Sequence, residues 1–253
     1  MTVYSDYDQF ARVYNRHWGT HFIPLVLPIL EKYILCNLPA SARILDLCCG
    51  TGQLAQILTD RGFRVTGLDG SREMLRFARE NAPAAEFIVA DARSFKLPDN
   101  YQAVISVFDS LNHVMNLDEL TSVFRNVYAA LQPGGLFLFD LNMEAGYKTD
   151  WNSDSSIVEE DLVCITRLSY KPEERIAWFD ATIFYQENGW QRSDVTLTQK
   201  CYSETEILTA LEIAGFIEVR SHACNLQNEL IELTIDTERA FFICQKPVET
   251  TES

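Results

Sequence analysis

The sequence predicts a doubly wound α/β fold: a seven-stranded, mostly parallel sheet with helices on both faces, carrying an inserted antiparallel β ribbon. Three observations predict it. Five short runs, at residues 43–48, 64–69, 86–91, 103–108 and 136–141, are nearly continuous in Val, Ile, Leu and Phe, as parallel strands covered on both faces are. Helical patterns lie between them, over 52–61, 71–81 and 117–131, and strand alternating with helix implies right-handed βαβ units. After Asn142 the rhythm changes to extended segments with period two, among them 162–170 and 178–186.

Each element has a local reason. Ser71 is a side chain of the type that caps a helix start. Lys171-Pro172-Glu173-Glu174 and Glu187-Asn188-Gly189 are turn signals, and Asn-Gly between two strand-like runs marks a hairpin. Residues 157–202 therefore read as an antiparallel ribbon of about three strands. Ser203-Glu204-Thr205-Glu206 is a capping box opening a helix that Gly215 ends. Two further strands, at 216–221 and 240–245, close the sheet with one antiparallel edge. Residues 1–145 and 203–253 thus form one α/β unit, 146–202 its insert, and 248–253 a frayed tail.

The formal net charge is -15, which repels phosphate backbones and disfavours nucleic acid as a partner. No run of about 18 apolar residues occurs, so no membrane span is expected. The opening MTVYSDYDQF carries early acids and no apolar core, unlike a signal peptide. Seven cysteines, two of them adjacent and none in C-x-x-C, fit neither a disulfide framework nor a zinc site. No metal is expected, and a reducing cytoplasm is the natural compartment.

The sharpest motif is Ile44-Leu45-Asp46-Leu47-Cys48-Cys49-Gly50-Thr51-Gly52. A strand enters a tight glycine-containing turn and then a helix, whose free N–H groups and small residues admit a ligand close to the backbone. A dinucleotide fingerprint would want G-x-G-x-x-G there, and Cys48 stands at its first glycine, so an oxidoreductase fits poorly. Gly67-Leu68-Asp69 ends the second strand, where an acid accepts hydrogen bonds from both hydroxyls of a ribose. Asp91, in Val89-Ala90-Asp91-Ala92, ends the third strand and offers an acceptor to an exocyclic amine.

This set, together with the Leu131-Gln132-Pro133-Gly134-Gly135 turn before the fifth strand, resembles class I S-adenosylmethionine-dependent methyltransferases over nearly the whole chain. The resemblance implies a Rossmann-like methyltransferase fold with S-adenosylmethionine as cofactor and S-adenosylhomocysteine as product. It implies that Asp46 and the turn containing Cys48, Gly50 and Gly52 hold the methionine end, and that Asp69 takes the ribose hydroxyls. Asp91 and Ala92 then meet the adenine, Gly70 and Met74 line the adenosine pocket, and Phe108 borders the reacting methyl group. Cys48 departs from the family, where Gly is more usual. Tyr4, Tyr7, Phe10, Tyr14 and Trp18 recur at near-helical spacing in an N-terminal stretch that resembles the family's cap; such a stripe also suits plain core packing. Tyr14 is the expected contact to the methionine carboxylate.

The loop Val107-Phe108-Asp109-Ser110-Leu111-Asn112-His113 follows the fourth strand, and ligands of open α/β sheets bind at the carboxyl ends of strands. It lacks the Asn/Asp-Pro-Pro-aromatic signature of enzymes that methylate nucleic-acid bases. Its F-x-S-L-x-H run is similar to one in small-molecule N-methyltransferases acting on amino sugars, which makes His113 the candidate general base; a solvated or capping His is the alternative, and Asp109 of the same loop is the second catalytic candidate. The expected acceptor is a small molecule with an N or O nucleophile, and the chain a monomer or homodimer. A tRNA or protein methyltransferase, or a non-catalytic cofactor-binding protein, are the rival readings. Trp178, Phe179, Phe184, Tyr185 and Trp190 in the ribbon are expected to form a lid over the acceptor, to pack against the sheet, or to make a dimer surface.

Overall fold

Strands too apolar to face water on either side occupy the centre of the molecule. A computed structural model describes residues 6–225, 227 and 229–248. In chain order, α1 (Ala11–Val13) continues into a wider π-helical turn (Tyr14–Trp18), followed by α2 (Ile23–Tyr33), β1 (Arg43–Leu47), α3 (Gln53–Asp60), β2 (Arg64–Asp69), α4 (Arg72–Asn81), β3 (Glu86–Val89) and β4 (Tyr101–Ser106). Then come α5 (Leu117–Ala130), β5 (Leu131–Asn142), α6 (Glu144–Asp150), β6 (Asp154–Val158), β7 (Leu162–Lys171), β8 (Ile176–Gln186), β9 (Trp190–Lys200), α7 (Glu204–Ala214), β10 (Ile217–Cys224), β11 (Leu230–Ile231) and β12 (Arg239–Gln245).

The main sheet runs β11-β10-β12-β5-β4-β1-β2-β3. β1 pairs in parallel with both β2 and β4, so strand order reverses beside β1, the place where such sheets bind ligands. Antiparallel pairing is confined to the side built by β12, β10 and β11. The sheet has eight strands among the described residues, against the seven expected; the extra one, β11, has two residues and no pattern to betray it. Each face is sealed by a core. Val26, Ile29, Leu30, Leu54 and Leu58 cover one side; Val123, Phe124, Val127, Ile207 and Leu211 cover the other. Burying each such side chain contributes about 1.5–3 kcal/mol.

The capping box at Ser203 and Glu206 forms, and Gly215 ends that helix at φ 99°. Ser71 caps α4 by accepting from the Met74 amide. Asn188 and Gly189 both take positive φ between β8 and β9. The insert is a separate four-stranded sheet, β6-β7-β8-β9, one strand more than expected, because the polar segment Asp154–Val158 pairs along β7. The fifth strand also starts earlier than expected, at Leu131, through an irregular register against β4. Most of the tail 248–253 lies outside the described residues.

The aromatic stripe of the N-terminus packs between the two sheets. Phe10 and Val13 join Leu162, Cys164, Ala181, Ile183, Val195 and Leu197 in a small core of their own, with Tyr7, Tyr14 and Trp18 against it; Tyr4 lies outside the described residues. Among the described residues no single helix is long and apolar enough to cross a membrane.

Candidate active site

A cavity of about 790 Å³, its open mouth included, lies at the carboxyl ends of β1 to β4. Its floor is the turn after β1. Cys48 and Gly50 have positive φ there and line the cavity. Cys48 holds a left-handed conformation without being glycine (φ 60°), a strain of about 1–2 kcal/mol. A Cβ on Gly50 would lie 3.3 Å from the Tyr14 ring, so the glycine keeps the floor open beneath that ring.

Three carboxylates surround this end. Asp69 accepts from the Gly50 amide (2.9 Å) and the Ser71 amide (2.8 Å), which fixes its orientation across the turn; burial raises its pKa. Asp46 is 2% exposed, sits between Gly67 and Ile105 in mid-sheet, and leaves Oδ2 without a partner among the described residues. Burial, then the charge of Asp69, push its pKa up to about 8. Asp91 is different. Arg93 donates to both of its oxygens, with Nη2 at 2.7 Å, and these bonds hold the carboxyl below its usual range. Arg93 also reaches Glu119 at 3.2 Å.

The N-terminal segment closes the cavity from above and is tied down by polar contacts. Asp8 accepts from the Ser71 hydroxyl (2.6 Å) and the Glu73 amide (3.2 Å) at the start of α4. Asn15 accepts from Gln53 (2.9 Å) and Asn81 (2.7 Å). Tyr14 and Tyr7 thereby line the cavity. Burial, with Asp109, Asp69 and Asp46 nearby, keeps the Tyr14 phenol protonated.

The other end is made by the loop after β4. Phe108 (φ 65°) and Asp109 (φ 48°) are consecutive non-glycine residues in left-handed conformation, held there because both of their amides donate to the Asp140 carboxylate, at 2.6 and 3.1 Å. The Phe108 ring stacks on Phe22, whose other neighbour is the Arg239 guanidinium, 4.6 Å from the Phe22 centroid. Arg239 also bonds Asp140 and, at 2.7 Å, Asp109. His113 lies next to this cluster. Its Nδ1 is 2.8 Å from the Thr198 carbonyl, an acceptor, so Nδ1 carries the proton and Nε2 is left as a lone pair. Tyr7 donates its hydroxyl to Nε2 at 2.7 Å. Burial lowers the His113 pKa, which keeps the ring neutral and able to accept a proton at neutral pH.

The sequence-derived residues come together, with two kinds of exception. Tyr14, Cys48, Gly50, Asp69, Gly70, Met74, Asp91, Ala92, Phe108 and His113 line one cavity. Asp46 and Gly52 lie outside its lining: Asp46 is beneath it, and Gly52 (φ 81°) is needed where a Cβ would meet the Ala78 backbone at 2.9 Å. Asp109, expected in a catalytic role, faces other side chains. It is absent from the lining, and its oxygens are taken by Arg239 and by Gln199 Nε2 (2.6 Å). None of the five ribbon aromatics lines the cavity. Phe179 and Tyr185 pack on the N-terminal core, while Trp178 and Phe184 alternate to the opposite face of β8. The insert reaches the site through Thr198 and Gln199 instead. Sequence reasoning missed Gln199, Arg239, Asp140 and Arg93. Only Arg93, two residues past Asp91, stood near a motif; Tyr7 was seen as part of a stripe and not as a partner of His113.

Comparison with known proteins agrees with this geometry. A family profile described as a methyltransferase domain matches residues 44–135. The putative methyltransferase YqeM of Bacillus subtilis is 30% identical over 223 residues, covering 85% of this chain and 88% of that protein. A dTDP-3-amino-3,4,6-trideoxy-alpha-D-glucopyranose N,N-dimethyltransferase of Streptomyces venezuelae is 28% identical over 54% of this chain and 57% of its own length. The crystal structure of an S-adenosylmethionine-dependent methyltransferase from Clostridium acetobutylicum superimposes with a TM-score of 0.77 at 22% identity, covering 95% of this chain and 99% of that one. A strand–turn–helix floor, acids at successive strand ends and a relative of near-equal length lead to one family: the chain belongs to the class I S-adenosylmethionine-dependent methyltransferases.

Proposed function

We propose that this chain methylates a small-molecule acceptor through an N or O nucleophile, with S-adenosylmethionine lying along the strand ends and the acceptor entering beside Tyr7 and His113. The observation that carries this reading is the pairing of opposite needs at one cavity. Beneath one end lies an orphaned buried carboxylate oxygen, Asp46 Oδ2, and at the other a neutral imidazole whose unprotonated Nε2 accepts from the Tyr7 hydroxyl at the cavity wall.

The residues fit the cofactor. Asp46 and the 48–50 turn suit an α-ammonium and its amino-acid backbone, Tyr14 the carboxylate, Asp69 the ribose hydroxyls, and ionised Asp91, which offers only acceptors, the adenine amine, with Ala92, Gly70 and Met74 about the ring. When bound, S-adenosylmethionine supplies a methyl group on a positively charged sulfur, already activated for displacement. The protein's work is therefore alignment and proton removal. Phe108 and Val114 keep water from the reacting end. The Tyr7 oxygen accepts from the nucleophile's N–H or O–H and so orients it; as the methyl group is transferred, that proton passes to the Tyr7 oxygen and the Tyr7 proton passes to His113 Nε2. An amine acceptor is supported by the amino-sugar relative, and a small acceptor over nucleic acid by the net charge of -15.

Calorimetry tests the reading directly. S-adenosylmethionine and S-adenosylhomocysteine should bind with micromolar affinity, Asp69→Ala should weaken both at least about tenfold, and NAD should not bind. A panel of small amines and hydroxyl compounds then identifies the acceptor, for which His113→Asn should lower kcat about 10²- to 10⁴-fold with S-adenosylhomocysteine affinity unchanged. Binding of NAD in place of the sulfur nucleosides, or full turnover in His113→Asn, would sink the corresponding half.

A further inference from the structure

We propose that Asp109 and Gln199 are the positioning residues of His113: the Gln199 amide, brought in by the insert's last strand, suspends the Asp109 carboxylate behind the ring, and the two act in opposite senses on its unprotonated nitrogen. The proposal rests on the reading of His113 as the proton acceptor.

The geometry begins with the orientation of Gln199, which is 3% exposed. Its Oε1 accepts from the Tyr147 hydroxyl (2.8 Å) and from Asn142 Nδ2 (3.2 Å). Two donors on that side force the amino group to the other, where it meets Asp109 Oδ2 at 2.6 Å and His113 Nε2 at 3.2 Å. One amide nitrogen therefore stands between a carboxylate and the lone pair of the ring. The carboxylate favours the protonated ring through its charge. The N–H favours the neutral ring, because it donates to the lone pair that a proton would occupy.

Other groups around the ring are accounted for. Tyr7 donates to Nε2 from the N-terminal segment, and Asp6 of that segment adds a second negative charge. The Thr198 carbonyl of β9 holds Nδ1. Arg239 sits on the far oxygen of Asp109 and divides its charge with Asp140, so it moderates Asp109 without cancelling it. Neither Asp109 nor Gln199 lines the cavity; both act through His113.

The test is a titration of the imidazole by long-range ¹⁵N NMR on the full chain saturated with S-adenosylhomocysteine. The chain has 4 His, and His113→Asn assigns the signal. In the wild type one tautomer, with the proton on Nδ1, is expected. Asp109→Asn should lower the midpoint by about one pH unit, the effect of one nearby charge in a partly buried site. Gln199→Met should raise it, since the neutral ring loses a donor. Both variants should keep S-adenosylhomocysteine affinity within about twofold. A merely structural role does not move the two midpoints in opposite directions. Midpoints unmoved in both variants, or displaced in the same direction, overturn the proposal; should Asp109→Asn fail to fold, an unmoved or lowered midpoint in Gln199→Met alone does so. Full turnover in His113→Asn is a separate failure, of the base reading, and leaves the titration intact as a report on the pair.

Discussion

The two ends of the cavity are built on different plans. At the proposed cofactor end Asp69 ties two turns together through backbone amides, those of Gly50 and Ser71. At the proposed acceptor end the bonds run between side chains far apart in sequence. Tyr7, Asp109, His113, Asp140, Asn142, Tyr147, Gln199 and Arg239 form one network, assembled from the N-terminal segment, the loop after β4, β5, α6, β9 and β12. The first plan follows from two βα turns and survives as long as they do. The second exists only after both sheets have packed, and it includes a buried cluster with two carboxylates and one guanidinium. The acceptor end is therefore the place where one substitution costs most.

Arg239→Leu tests that difference at its largest. It leaves Asp140, which is fully buried, and Asp109 without their cation; removing one partner of a buried pair costs about 3–5 kcal/mol, to be read from urea unfolding. A loss below about 1 kcal/mol would mean that the plan is less costly than its charges suggest. The matching break at the cofactor end is smaller. Gly52→Ala meets a left-handed φ of 81° and the Ala78 backbone at 2.9 Å, and should cost about 2–3 kcal/mol. Gly62→Ala has a similar φ of 88° with nothing within 4 Å, and should cost only about 1 kcal/mol. The difference between the two isolates the close approach from the backbone strain.

The next test concerns protons. Asp46 has a folded-state pKa of about 8 against 3.8 when unperturbed. A carboxyl whose folded pKa is raised binds more protons folded than unfolded between those values, so the stability of the ligand-free protein falls as pH rises from about 4 to about 8. Asp46→Asn should flatten that fall. An ammonium placed beside Asp46 would favour its ionised form, so S-adenosylhomocysteine binding at pH 7 should release most of one proton, measured as a dependence of binding heat on buffer ionisation heat. Asp46→Asn should abolish the release. Proton release that persists in the variant would move the titrating group elsewhere.

The same contrast decides what could be read from the sequence. The doubly wound sheet, the floor at 48–52, Asp69, Asp91 and the hairpin at Asn188-Gly189 were legible because each is a local pattern: an apolar run, a turn glycine, an acid at a strand end. Gln199 was not legible, since in Leu197-Thr198-Gln199-Lys200 it occupies an inward position of a strand and reads as an ordinary polar residue until Asp109 is found opposite it. Arg239 likewise looks like the charged lead-in to an apolar strand. His113 was placed in the cavity by its loop, while its tautomer depends on a carbonyl brought by β9, which no spacing predicts. The partners of Asp109 were not legible, because its loop faces the cavity whereas its side chain turns to Arg239.

The smallest expected effect bears on the insert's outer face. Phe179, on the inner face, has its ring 5.2 Å from that of Phe10 and belongs to the packing that holds Tyr7 and Tyr14 over the cavity. Trp190 is 51% exposed and pairs with Gln186 at the far end of the β8–β9 hairpin from Gln199. If the insert acts through its inner face and through Thr198 and Gln199 alone, Trp190→Ala should change stability by less than about 0.5 kcal/mol. It should also leave S-adenosylhomocysteine affinity and the His113 titration where they are. Sedimentation of the variant separates the remaining alternative: a wild-type dimer that Trp190→Ala dissociates would assign the outer face to a second copy of the chain, whereas unchanged sedimentation with unchanged binding confines the insert's contribution to the inner face and the two residues of β9 that reach His113.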